Sequence, residues 1–97
     1  MRHFHRTTLQ PDQALAIADA FFPTIGLAAT ASVARGRTFA GPLGTLALTV
    51  RMEGGHYTFI EAHTDQVGES RLDRNVKAYF VQVHTAADPR HQIAAAY

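Results

Sequence analysis

The chain has no cysteine. That absence removes disulfides, thiolate zinc sites, iron–sulfur clusters and cysteine nucleophiles together. Serine is nearly absent: only Ser32 and Ser70 occur. Ser70 has a helix-capping role to fill and Ser32 sits among small strand residues, so a serine hydrolase is not expected. An excess of either charge is also missing. Nine Lys+Arg against eight Asp+Glu leave a formal charge of +1, which points to neither nucleic acid nor a membrane surface. No window approaches the ~18 apolar residues of a membrane span. The start, Met1-Arg2-His3-Phe4-His5-Arg6, lacks the apolar run of a signal peptide. The expectation is a soluble, cytoplasmic protein. There is no HExxH, no nucleotide-binding glycine pattern and no nucleophile elbow, and no cofactor is implied.

What is present suits a folded protein. The 97 residues are 46% hydrophobic and 18% charged, the profile of one globular domain over residues 1–97, with residues 88–97 as a C-terminal tail. Eight arginines stand against a single lysine, Lys77.

Hydrophobic spacing supplies the elements. Residues 2–8 alternate weakly and read as a short or edge strand, with Phe4 on one side and His3 and His5 on the other. Residues 11–22 read as a helix. Pro11 suits its first turn, Asp12 suits the positive end of its dipole, and Leu15, Ala18, Phe21, Phe22 and Ile25 share one stripe. Pro23 forces an end near Phe22. Residues 27–39 read as one strand of small residues, with Gly36 marking a candidate β-bulge. Gly41-Pro42-Leu43-Gly44 is a turn signal. From Ser70 to Ala87 a second helix is predicted, capped by Ser70 with Asp73 three residues on. Its apolar stripe is Leu72, Val76, Tyr79, Phe80, Val83 and Ala87.

The centre of the chain is the hairpin Thr45–Thr64, folded at Gly54-Gly55. A two-residue turn pairs Glu53 with His56, Val50 with Phe59, Leu48 with Glu61 and Leu46 with His63. That register puts Leu46, Leu48, Val50, Met52, Tyr57 and Phe59 on the core face. Ala47, Thr49, Arg51, Thr58, Ile60 and Ala62 fall on the other. The predicted fold is α+β: a two-layer β-α-β-β-β-α domain, a four-stranded antiparallel sheet with two helices on one face. The element order is similar to a shortened helix-grip fold of small-ligand carriers, and to half of the TATA-binding-protein fold.

Function is read from three features. The uncovered sheet face, flat and half polar, is expected to mediate homodimerisation. An apolar small molecule between the second helix and the sheet would touch Tyr57, Phe59, Glu61, Tyr79 and Phe80. RNA binding on the open face would need outward aromatics for stacking, and this register places none there, so no nucleic-acid partner is expected. The leading reading is a non-enzymatic interaction or ligand-binding module. The alternative is a metal-dependent enzyme. Glu61, His63 and Asp65 alternate along one strand, carboxylate and imidazole suit zinc, iron or manganese, and His3 and His5 would join them if the two strands were neighbours.

Overall fold

The computed structural model describes residues 1–88; the predicted tail, apart from Asp88, lies outside the described residues. The order is β1 (Arg2–Thr7), α1 (Pro11–Phe21), a 3-10 turn (Phe22–Ile25), β2 (Ala28–Val33), β3 (Gly36–Gly41), β4 (Gly44–Glu53), β5 (Tyr57–Thr64) and α2 (Arg71–Ala87). The α+β class with an antiparallel sheet is as expected. The strand number is not: the sheet has five strands in the order β1-β5-β4-β3-β2.

The extra strand comes from residues 27–39, which are not one strand. They break at Ala34-Arg35, and the pairing Val33↔Gly36 closes a tight hairpin. Neither turn residue has positive φ, so the turn needs no glycine, asparagine or aspartate to announce it. Gly36 closes the hairpin; the bulge lies earlier, where the register shifts between Ala29 and Ala31.

Both helices form where the spacing puts them. Gln13 Oε1 accepts the Gln10 amide (2.8 Å) ahead of Pro11. α1 buries Pro11, Ala14, Leu15 and Ala18. Pro23 does not stop the helix outright; the chain tightens into the 3-10 turn and ends at Gly26 with φ of 89°, a value that favours glycine. The β3–β4 turn holds as Gly41↔Gly44. A side chain at Gly41 would collide with the Gly26 carbonyl, so here the spacing between backbones demands glycine.

The helices pack together on one sheet face, α1 over β4 and α2 over β1 and β5. Between them and the sheet lie Phe22, Phe39 and Tyr79, with ring centroids 5.1 and 5.3 Å from Phe22. Tyr79 has no exposed surface, and its hydroxyl donates to the Ala14 carbonyl (2.8 Å), tying α2 to α1. Burial, with Asp19 adding to it, pushes the phenol pKa well up.

The hairpin register also departs from expectation. Glu53 pairs with Tyr57, Arg51 with Phe59, Val50 with Ile60, Leu48 with Ala62 and Leu46 with Thr64. The loop therefore holds three residues, Gly54, Gly55 and His56. One extra residue inverts every side chain of β5. Thr58, Ile60, Ala62 and Thr64 face the helices and are buried. Tyr57, Phe59, Glu61 and His63 share the outer face with Ala47, Thr49 and Arg51. Met52 and Tyr57, predicted in the core, are largely exposed.

Candidate functional site

The inversion of β5 separates residues that the sequence put together. β1 and β5 are neighbours, with Arg2↔His63, His3↔Ala62 and Phe4↔Glu61. The parity is opposite to what a shared site needs: His3 and His5 point toward the helices, while Glu61 and His63 point away. Glu61 pairs with Arg2 at 3.6 Å. Asp65 lies just past β5, where it accepts the Thr45 amide (2.9 Å) and the Gln66 side-chain amide (2.8 Å). The Thr45 hydrogen bond, then Gln66, hold its pKa low, so Asp65 is a strand-end cap. Among the described residues no three His, Asp or Glu side chains gather as a metal site.

The five residues expected around an apolar ligand divide likewise. Tyr79 is fully buried and occupied by its contacts with Phe22 and Ala14. Phe80 stacks on His5 with ring centroids 5.1 Å apart and an interplanar angle of 15°. Phe59 lies on the outer face yet is only 7% exposed. Phe4 packs against it at 5.4 Å, and the guanidinium carbons of Arg6 and Arg51 sit 4.9 and 4.4 Å from its ring centroid. Glu53 engages both arginines, at 2.6 and 3.9 Å. The outer face thus does carry aromatics, but the central ring is already enclosed by two guanidinium groups and the arginines are matched by Glu53 and Glu61. A nucleobase would have to displace that stack.

Two polar clusters lie instead where β1 meets α2. The first is built on Asp73, which is fully buried. Its Oδ1 accepts from His3 Nε2 (2.8 Å) and the Thr64 hydroxyl (2.8 Å), its Oδ2 from the Ser70 hydroxyl (2.7 Å) and the Ser70 amide (3.2 Å). Ser70 Oγ in turn accepts the Asp73 amide (3.1 Å), completing the capping box predicted from the sequence. Burial alone would raise the carboxyl pKa. The hydrogen bonds from Ser70, His3 and Thr64 outweigh it and hold the group well below the usual carboxylate range. Every lone-pair direction is used within the protein, which makes this a clasp between strand and helix.

The second cluster is open. At the end of β1, His5, Arg6, Thr7 and Thr8 form one wall of a cleft of about 410 Å³; Tyr57 and the last turn of α2, with His84, Ala87 and Asp88, form the rest. His5 Nε2 is buried and, among the described residues, hydrogen-bonds nothing. Burial, with His84 as a lesser influence, lowers the His5 pKa below that of an ordinary imidazole. A neutral imidazole with an unused nitrogen beside hydroxyls and an aromatic ring can hold a hydrogen-bonding small molecule. Of the residues expected at a ligand, Tyr57 lines this cleft, and Phe80 stacks against His5 in its wall. Sequence reasoning missed Thr7, Thr8 and His84. The available signal was His5 itself, placed on the inward side of its strand where an apolar residue belongs.

Comparison of the chain with protein families, with curated proteins and with solved structures gives no match.

Proposed function

We propose that this domain is a small-ligand-binding module, and that its ligand is a compact, neutral molecule carrying a hydrogen-bond donor, held in the cleft between the end of β1 and the last turn of α2. The observation that carries the reading is His5. Its buried ring nitrogen has no partner among the described residues, which costs about 1–3 kcal/mol, and a ligand donor that reaches that nitrogen as the cleft wall shifts would remove the cost. The cleft volume falls within the range of small-molecule sites, roughly 300–1,000 Å³, and a perturbed titratable group in a cleft is what such sites commonly contain. Arg6 and Asp88 put both signs of charge at the rim, which favours a neutral ligand over an ion. The space between the helices and the central strands is filled by Phe22, Phe39 and Tyr79, so the ligand belongs in this peripheral cleft. The alternative of a metal-dependent enzyme at Glu61, His63 and Asp65 has no gathered ligand set among the described residues to support it.

The test is a fragment titration of the isotope-labelled full chain followed by NMR, using single-ring compounds in pairs that differ by a hydroxyl, phenol against anisole among them. The expected result is that the hydroxyl-bearing member of each pair shifts the amides of residues 5–8, Tyr57 and residues 84–88, and that His5→Phe abolishes the shifts. Fragments that bind without regard to the hydroxyl, or only elsewhere, would overturn the reading.

A further inference from the structure

The strand that walls the cleft meets α2 through imidazoles. The β1 side chains turned toward the helices are His3, His5 and Thr7, and none is aliphatic. Phe4, the large apolar residue of the strand, lies on the outer face and is 50% exposed. Along the seam, α2 offers Asp73 to His3 and Phe80 to His5, with His84 further on at the cleft. The two histidines are therefore held differently. His3 already donates to a buried carboxylate, so a second proton on its ring is paired at once. His5 has no such partner: its Nε2 is buried and hydrogen-bonds nothing among the described residues. Across the ladder it faces Ile60, which offers no charge.

We infer that His5 is a pH switch for the cleft: when its ring takes a proton, the end of β1 from His5 to Thr7 detaches from α2 and the cleft loses a wall, while the His3–Asp73 end stays attached. A buried imidazolium without a hydrogen-bonded anion is costly, and detachment returns it to water. The charges nearby do not offset that cost. His84 adds repulsion when it is charged. Arg6 is positive and turned out to Glu53, and Lys77 on α2 pairs with Glu69. Asp88 and Tyr57 line the cleft, but neither hydrogen-bonds the buried nitrogen. The Phe80 face attracts a charged ring, yet burial outweighs it: burial first, then His84, lowers the His5 pKa. In the detached strand the ring returns to an ordinary pKa of about 6.5. The detached form therefore takes the proton first. Attachment is complete above about pH 6.5, and each pH unit below it in which only the detached form is protonated shifts the equilibrium about tenfold. β1 is an edge strand with β5 as its one neighbour in the sheet, so the rest of the sheet can stay paired while this end opens.

The experiment is amide hydrogen exchange of the full chain, followed by NMR at about pH 7.5 and about pH 5.5, either side of the ordinary imidazole pKa. Each rate is divided by the intrinsic rate at that pH. Protection of the His5 and Thr7 amides, whose residues pair with Ile60 and Thr58, is expected to fall about tenfold across that range. Low urea should change their exchange little, because a detached strand end exposes far less surface than unfolding does. His5→Phe, which keeps a ring against Phe80, should abolish the fall. Equal protection of the wild type at both pH values, or a full fall retained in His5→Phe, would overturn the inference. So would a urea dependence at His5 and Thr7 as steep as that of the β4 amides, since the whole domain would then be opening.

Discussion

Asp73 and His5 show how differently two polar residues can be held at one strand–helix junction. Asp73 accepts four hydrogen bonds, and replacing it with asparagine would set an N–H₂ group against donors. Asp73→Asn is expected to cost about 2–4 kcal/mol of stability, measured as a shift of the urea midpoint. A carboxylate whose folded pKa is depressed contributes stability that is present above its unfolded pKa, near ~4, and is lost as pH falls further. Wild-type stability should therefore drop below about pH 4, and the Asn variant should drop less steeply. His5 also favours its deprotonated form, but for a different reason: burial, with His84 as a lesser influence, disfavours the charged ring. Its folded pKa is lowered, so the unfolded chain takes the proton first. Stability is then complete above about pH 6.5 and declines as pH falls below it. His5→Phe removes that slope and the unpartnered nitrogen while keeping a ring against Phe80. The variant is expected to be more stable by about 1 kcal/mol while losing the cleft's hydrogen-bond acceptor, a trade between stability and function. A thermal midpoint that falls in His5→Phe would contradict this account of the residue.

At the scale of elements, the helices were legible and the sheet only partly so, for identifiable reasons. α2 carries a capping serine, a matching Asp73 and an uninterrupted stripe, and it formed as read. The division of residues 27–39 was hidden because Ala34 and Arg35 turn without a special backbone angle. Length was the available signal, since strands usually run about 3–10 residues. The hairpin is the more instructive miss. Gly54 and Gly55 do adopt positive φ, 65° and 75°, and the His56 amide reaches the Glu53 carbonyl at 3.4 Å. The turn chemistry was correct; the ladder simply resumes one residue later, at Tyr57. β5 could not disclose this, because both of its faces are apolar: Tyr57 and Phe59 on one, Ile60 and Ala62 on the other. What decides between them is remote in sequence. Ile60 and Ala62 meet the helices, and Phe59 is covered by Phe4, Arg6 and Arg51. A metal cluster at Glu61 and His63 on the helix side, and an outer face free of aromatics, both require the other parity. Deleting His56 leaves Gly54-Gly55 as a two-residue turn between Glu53 and Tyr57, so the pairing of Glu53 with Tyr57 and both faces of β5 are kept. The expected outcome is a retained cooperative thermal transition with Ile60 and Ala62 still buried; loss of that transition would show that the sheet needs the three-residue loop itself.

For the molecule as a whole, the order β1-β5-β4-β3-β2 splits the sheet by sequence distance. β2 to β5 form a meander of neighbours joined by short turns, whereas β1 reaches its partner from the far end of the chain, Arg2 lying opposite His63. Such a strand pays its loop-closure entropy last. It is secured by the β5 ladder and by the His3–Asp73 clasp, and the cleft exists only while it is docked. Local opening is expected to release β1 before the meander, so its amides should exchange faster than those of β4. Weakening the clasp with His3→Ala should widen that gap and leave β4 exchange little changed. Equal exchange across the sheet would show a single cooperative unit. The position of β1 therefore makes the fold a latch: the segment that closes the cleft is also the one that loosens first, so a bound molecule would be traded with solvent at the rate of a strand's undocking rather than of the whole protein's unfolding.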